Sequence, residues 1–184
     1  MKLASVYLIG VGPGDPDLIS VRALRYLKTA DVVVYDSLVD RRLLRSIQPT
    51  AEQIDVSPTV SGTLKQDATN SLLVEKVREG KTVARLKLGD PFIFNSGGQE
   101  ALFLREQGVP FEVIPSIPVS IGAPCYAGFP LTHPDTGDAI LFLRGHGTET
   151  TSPPKVDWDK VASLAVTLVS YADAAQIETI INEL

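Results

Sequence analysis

The sequence predicts an α/β fold in two domains, the second of them short of strands. Three observations carry this. The chain opens on a strand–helix–strand pattern: residues 5–9 form a short apolar run, a helical pattern follows Ser20, and 31–36 reads as a second buried strand around Val32-Val33-Val34-Tyr35. A further buried strand, VARLK over 83–87, runs directly into Gly89-Asp90-Pro91 and then into a helical segment. Pro115-Ser116-Ile117-Pro118 then reads as a linker, after which only two more strands are legible. Strands alternating with helices through short loops build a parallel sheet with helices on its faces.

The elements follow in order. Residues 5–9 form the first strand, and Gly10-Val11-Gly12-Pro13-Gly14-Asp15-Pro16 is too rich in glycine and proline to be other than a loop. Ser20 caps a helix with Val21, Leu24 and Leu27 on one face. Residues 31–36 form the second strand, 41–47 a short helix and 54–56 a third strand. SPTVSGT over 57–63 is a polar loop. Residues 67–79 are helical, with Leu72, Leu73 and Val77 as the apolar face and Gly80 as the stop. The 83–87 strand, a helix over 99–107 and a strand over 111–114 complete domain 1–115. Domain 116–184 holds a helix over 119–126, strands over 139–143 and 164–170, and helices over 157–162 and 172–184. Two strands make a poor sheet, so this second domain reads as truncated, or as completed by another chain.

Composition narrows the function classes. With 44% hydrophobic residues the chain can bury a core, and a net charge of −5 without a basic run argues against nucleic-acid and membrane-surface binding. The single cysteine, Cys125, excludes an intramolecular disulfide, suits a reducing cytoplasm and reads as a small buried hydrophobe. No apolar run reaches transmembrane length, and no His/Cys cluster suggests a metal.

Two stretches carry chemistry. Gly10-Val11-Gly12-Pro13-Gly14 would let backbone approach a ligand. It is not a dinucleotide fingerprint, because the third glycine position is Asp15 and Pro13 removes an amide donor. A tight structural turn explains it equally well on its own. RLKLGDPFIFNSGG over 85–98 places the Asp90 carboxylate and free amides at the C-terminal rim of a sheet, where open α/β folds bind ligands. Asp36, at the end of the second strand, reads by itself as a helix or turn cap.

Taken together these stretches resemble the tetrapyrrole methylases, and among them the uroporphyrinogen-III C-methyltransferases. VYLIGVGPGDPDLISVRALRYLKTADVVVYDSLV is similar to their opening segment. Gln66 and Asn70 match a Q-x-x-x-N motif, Leu72 to Glu75 an L-L-V-E motif, RLK-GDPFIF and GG-E-A the motifs that follow, and APCYAGFPLTH a later one. The resemblance covers essentially the whole chain. It implies the family's two-domain α/β fold, a homodimer, and S-adenosylmethionine held in the cleft between domains by Pro13, Leu88, Gly89, Asp90, Ile93 and Val119. It also implies a tetrapyrrole substrate, in sirohaem or corrinoid synthesis, with Asp36 as proton acceptor. Methyl transfer from a sulfonium is an in-line displacement that alignment largely serves, and a pyrrole carbon gaining a methyl must shed a proton to some base.

The chain departs from the family pattern at functional positions. The loop that carries a proton-donor lysine in the family has Ser57 or Pro58 there. Leu88 replaces the first glycine of Gly-Gly-Asp, Asn95-Ser96 replaces Gly-Arg, and Pro118 replaces a threonine. These changes predict weak S-adenosylmethionine binding, mostly through backbone. Arg22, Lys65 and Arg144 remain as cations for a substrate with many carboxylates, or as solvated surface charges. The expected function is S-adenosylmethionine-dependent C-methylation of a tetrapyrrole; the alternative is a non-catalytic relative serving as a binding or assembly module.

Overall fold

A computed structural model describes residues 5–57, 66–135, 139–144, 157–164 and 166–183. The chain divides into two compact units, 1–119 and 120–184.

The first unit is a five-stranded parallel sheet. Its strands are β1 (Val6–Gly10), β2 (Val32–Tyr35), β3 (Glu52–Asp55), β4 (Val83–Lys87) and β5 (Phe111–Ile114), in the order β3-β2-β4-β1-β5. The helices are α1 (Val21–Leu27), α2 (Arg41–Leu44), α3 (Gln66–Arg78) and α4 (Gly97–Glu106). Strand side chains alternate between faces, and each face has its own core. Ile9, Val33, Ala84 and Leu86 pack with Ala23 and Leu27 of α1 and Leu43 of α2. Val6, Leu8, Val32, Val34 and Val83 pack with Leu73 and Val74 of α3 and Ala101 and Leu104 of α4. α1 and α4 therefore leave the adjacent strands β1 and β4 toward opposite faces. That makes the gap between the C-terminal ends of β1 and β4 the topological switch point of the sheet.

Local signals behave as their chemistry requires, with instructive shifts. Ser20 caps α1 by accepting a hydrogen bond from the Ala23 amide at 3.1 Å. Within the expected loop, Pro16–Leu18 form a short 3-10 turn, because Asp15 accepts from the Asp17 amide. β3 begins two residues before the predicted strand: it is an edge strand, mostly exposed, and its register against β2 rather than any apolar pattern sets its limits. α4 begins at Gly97, taking in both glycines expected to precede it.

The second unit contains α5 from Ser120 onward (α5 spans Val119–Tyr126), β6 (Ile140–Arg144), α6 (Trp158–Ala162), β7 (Thr167–Tyr171) and α7 (Ile177–Glu183). β6 and β7 pair in parallel, Ile140 opposite Thr167 through Arg144 opposite Tyr171. The expected continuous last helix is instead a 3-10 turn, Ala174–Gln176, followed by α7. Cys125 is exposed, not buried as expected. α5 seats on its small residues Ser120 and Gly122, which leaves Cys125 and Ile121, one turn apart, on the open face. The polar stretch 148–154 lies outside the described residues. Among the described residues no helix is long and apolar enough to cross a membrane.

Candidate functional site

The site is built at the switch point. The loop after β1 and the loop after β4 lock together through backbone alone. The Val11 amide donates to the Lys87 carbonyl at 3.0 Å, and Gly89 donates to the Gly12 carbonyl at 2.7 Å, with the reverse bond at 3.4 Å. Gly12 and Gly89 both adopt positive φ, 85° and 65°. A side chain at Gly89 would reach within 3.4 Å of the Val119 amide nitrogen, so glycine lets the 118–119 segment come against this turn. The turn that holds Pro13, the Gly89-Asp90 turn and the segment at Val119 therefore converge beyond the C-terminal ends of β1 and β4. Asp90 ties two of them: one carboxylate oxygen accepts from the Phe92 amide at 2.9 Å, the other from the Ser116 amide at 3.0 Å. Leu88 is half-buried and belongs to neither core cluster. Ile93 sits apart, in the exposed apolar run Phe92-Ile93-Phe94. Asn95 closes that loop by donating to the carbonyls of Leu88 (3.0 Å) and Asp90 (3.3 Å), and Phe94 within it adopts φ 47°.

Asp36 stands at the C-terminal end of β2, next to β4. One of its oxygens accepts from the Leu38 amide at 3.2 Å, as a turn cap would. The other lies 3.6 Å from a terminal nitrogen of Arg85. This second contact is the part that the sequence reading missed. Arg85 and Lys87 project toward α3 and α4, and both are buried, as is Glu100 in the first turn of α4. A single oxygen, Glu100 Oε1, accepts from Lys87 Nζ (2.9 Å), Gln66 Nε2 (3.2 Å), Arg85 Nε (3.3 Å) and Ser96 Oγ (3.3 Å). Lys87 also donates to Ser96 Oγ at 2.7 Å, and Gln66 to Asn70 Oδ1 at 2.9 Å. The Q-x-x-x-N motif thus has a physical reading: Asn70, one helical turn on, accepts from the Gln66 amide, which also donates to the buried carboxylate.

Burial pushes the Glu100 carboxyl toward its neutral form, but Arg85 and Lys87 outweigh it and hold it below the ordinary glutamate range. Burial draws the Lys87 ammonium below the lysine range, assisted by Arg85 and opposed by Glu100. The signal was present in the sequence: charges at 85 and 87 in an otherwise apolar strand, and Glu100 on the same helix face as Leu104.

The cations singled out from the sequence fare differently. Arg22 is paired with Glu112, Arg144 is exposed at the end of β6, and Lys65 lies outside the described residues, as do 58–63 of the predicted loop. Ser57, where the family pattern has a basic loop, is instead turned back on Asp55, which accepts from its amide at 2.8 Å.

By architecture this is an open α/β protein with helices on both faces of a parallel sheet and with the loops after β1 and β4 joined backbone to backbone at its switch point. The sequence profile of the Tetrapyrrole (Corrin/Porphyrin) Methylases matches residues 5–184, and the chain belongs to that family. It is 44% identical over 180 residues to a siroheme synthase of Pseudomonas entomophila, covering 97% of this chain and 38% of that protein. It is 42% identical over 165 residues to an S-adenosyl-L-methionine-dependent uroporphyrinogen III methyltransferase of Methanosarcina barkeri, covering 89% of this chain and 65% of that one. Among solved structures, a cobalt precorrin-4 methyltransferase, described as a cobalamin biosynthetic enzyme, superposes with a TM-score of 0.84 at 30% identity, covering 97% of this chain and 73% of the other. The chain thus spans less than two fifths of the length of the siroheme synthase it matches.

Proposed function

We propose that this chain is an S-adenosylmethionine-dependent C-methyltransferase acting on a tetrapyrrole of the uroporphyrinogen III type. The observation that carries the reading is the crevice at the switch point, where the turns at Pro13, at Leu88-Gly89-Asp90 and at Val119 meet backbone to backbone. Adenine, ribose hydroxyls and a zwitterionic tail can all be met by main-chain amides and carbonyls. Ser116 Oγ, buried without a hydrogen-bond partner at the end of β5, is a further polar group in the same wall. The residues present therefore fit that cofactor, which supplies a methyl group on a positively charged sulfur.

The chain's own part is alignment and proton removal. The Gly12–Gly89 pairing and the Asp90 bridge fix the crevice before any ligand arrives, so little ordering is left to binding. Asp36, one strand away with about a quarter of its side chain exposed, is the group placed to accept the proton that the methylated carbon sheds. Ile93 belongs to the exposed loop, where its apolar side chain can close over the cofactor. The two units correspond on this reading to an N-terminal domain and a shorter C-terminal one, and the working form is a cytoplasmic homodimer.

The test is calorimetric titration with S-adenosylhomocysteine. The wild type binds, and Leu88→Gly binds about tenfold more tightly, because an isobutyl group leaves a turn built for close backbone approach. If neither protein binds, the methyltransferase reading fails.

A further inference from the structure

We infer that Glu100 is a positioning residue for Asp36: by holding Arg85 and Lys87 on one carboxylate oxygen, it governs how much of the Arg85 charge is left for the carboxylate at the rim of the sheet. The inference rests on the reading of Asp36 as the proton acceptor, and goes beyond it by assigning the control of that acceptor to a residue with no access to the crevice.

The geometry leads there directly. Arg85 is shared. Its Nε points to Glu100 at 3.3 Å and one terminal nitrogen to Asp36 at 3.6 Å, while the other terminal nitrogen donates to the Leu86 carbonyl at 3.1 Å. The Arg85 side chain is 5% exposed, so its charge is turned toward protein groups rather than toward solvent. Glu100 is fully buried, and among the described residues its second oxygen has no hydrogen-bond partner, while the four donors that reach the group converge on Oε1. The carboxylate is thus held from one side only, and its charge is directed at the Arg85–Lys87 pair. Two cations and two carboxylates, Asp36 included, balance across β4. Among the described residues, two further acidic groups at this end of the sheet have partners of their own. On β3, Asp55 accepts from Ser57 and has Arg41 of α2 nearby. In the turn before α2, Asp40 pairs with Arg42 at 2.8 Å. Asp36 therefore depends on Arg85, and Arg85 on Glu100.

Removing one member of the balance has a definite sign. Without the Glu100 charge, Arg85 and Lys87 act on Asp36 unopposed, and Asp36 gives up its proton at lower pH. Without the Lys87 charge, Glu100 acts more strongly through Arg85, and Asp36 holds its proton to higher pH.

The experiment is a carbon-13 titration of the Asp36 carboxyl in the full ligand-free chain, followed by NMR and assigned with Asp36→Asn. Glu100→Gln should lower the midpoint by about half a pH unit or more, and Lys87→Met should raise it by a similar amount. Glu112→Gln, paired to Arg22 on the edge strand, should leave it in place. A purely structural Glu100 would alter the melting temperature without moving this midpoint. An unmoved midpoint, or a shift of the same sign in both variants, overturns the inference; if Glu100→Gln does not fold, Lys87→Met decides alone. Because no ligand is involved, such a result leaves the methyltransferase reading standing. A failure to bind S-adenosylhomocysteine would remove that reading without touching the titration.

Discussion

Asp36 is at once a turn cap and one end of a charge chain, and a single substitution separates the two roles. Asparagine accepts from the Leu38 amide as well as aspartate does, so Asp36→Asn keeps the turn and removes only the charge. We expect a stability change of about 1–2 kcal/mol at most, with Arg85 still held by Glu100. Methyl transfer should slow by about 10²-fold or more. Melting temperature measured beside turnover checks this: a large thermal loss with near-normal turnover would make Asp36 a structural residue. Part of this was legible beforehand, since an aspartate closing an apolar strand is a recognisable position. The charges at 85 and 87 were visible in the sequence too, but not what they pair with. Their partners come from residues 66, 96 and 100, and only the packing of α3 and α4 on the sheet brings these to β4.

At the scale of elements, the segment from β4 through α4 is held by close packing rather than by caps. A side chain at Gly97 would meet the Pro91 carbonyl oxygen at 2.2 Å, whereas one at Gly98 would meet nothing within 4 Å. Neighbouring substitutions should therefore have opposite effects. Gly97→Ala should destabilise by about 1–3 kcal/mol, and Gly98→Ala should stabilise by about 0.4–1 kcal/mol, since alanine loses less freedom in a helix. Urea denaturation of both variants checks the pair; equal effects would mean that Pro91 yields without cost. The same contrast explains where the sequence was readable. β1, β2 and β4 are buried central strands, and their apolar runs located them. β3 and the start of α4 are governed by pairing register and by one close approach, and neither leaves an apolar pattern to read. Cys125 was misjudged for a related reason: cysteine is buried on average, but α5 turns its smaller residues inward.

At the scale of the molecule, the second unit has little core of its own. Val161 and Ile180 are its buried hydrophobic residues among those described, and the residues of β6 and β7 are all half-buried or exposed. A two-stranded parallel pair leaves unpaired strand edges, which tend to be covered. A homodimer burying part of residues 119–184 would provide it. Static light scattering at tens of micromolar should give twice the mass of one chain; a monomeric mass would remove the dimer from the proposal.

The strand order has a bearing on how the protein is made. β1 leaves the ribosome first, yet its only neighbours in the sheet are β4 and β5. Val6 finds its partner, Val83, only after roughly eighty further residues have been added. At translation speeds of about 5–20 residues per second, that is on the order of 4–16 seconds during which an apolar strand has emerged with nothing to pair with. β2 and β3 can associate meanwhile, but the slot between β2 and β1 stays vacant until β4 arrives. The Gly12–Gly89 bond closes with that same event. A nascent chain stalled short of β4 would therefore expose a sticky strand and lack the crevice altogether, which makes the interval before β4 appears the period in which a trigger-type chaperone has most to protect.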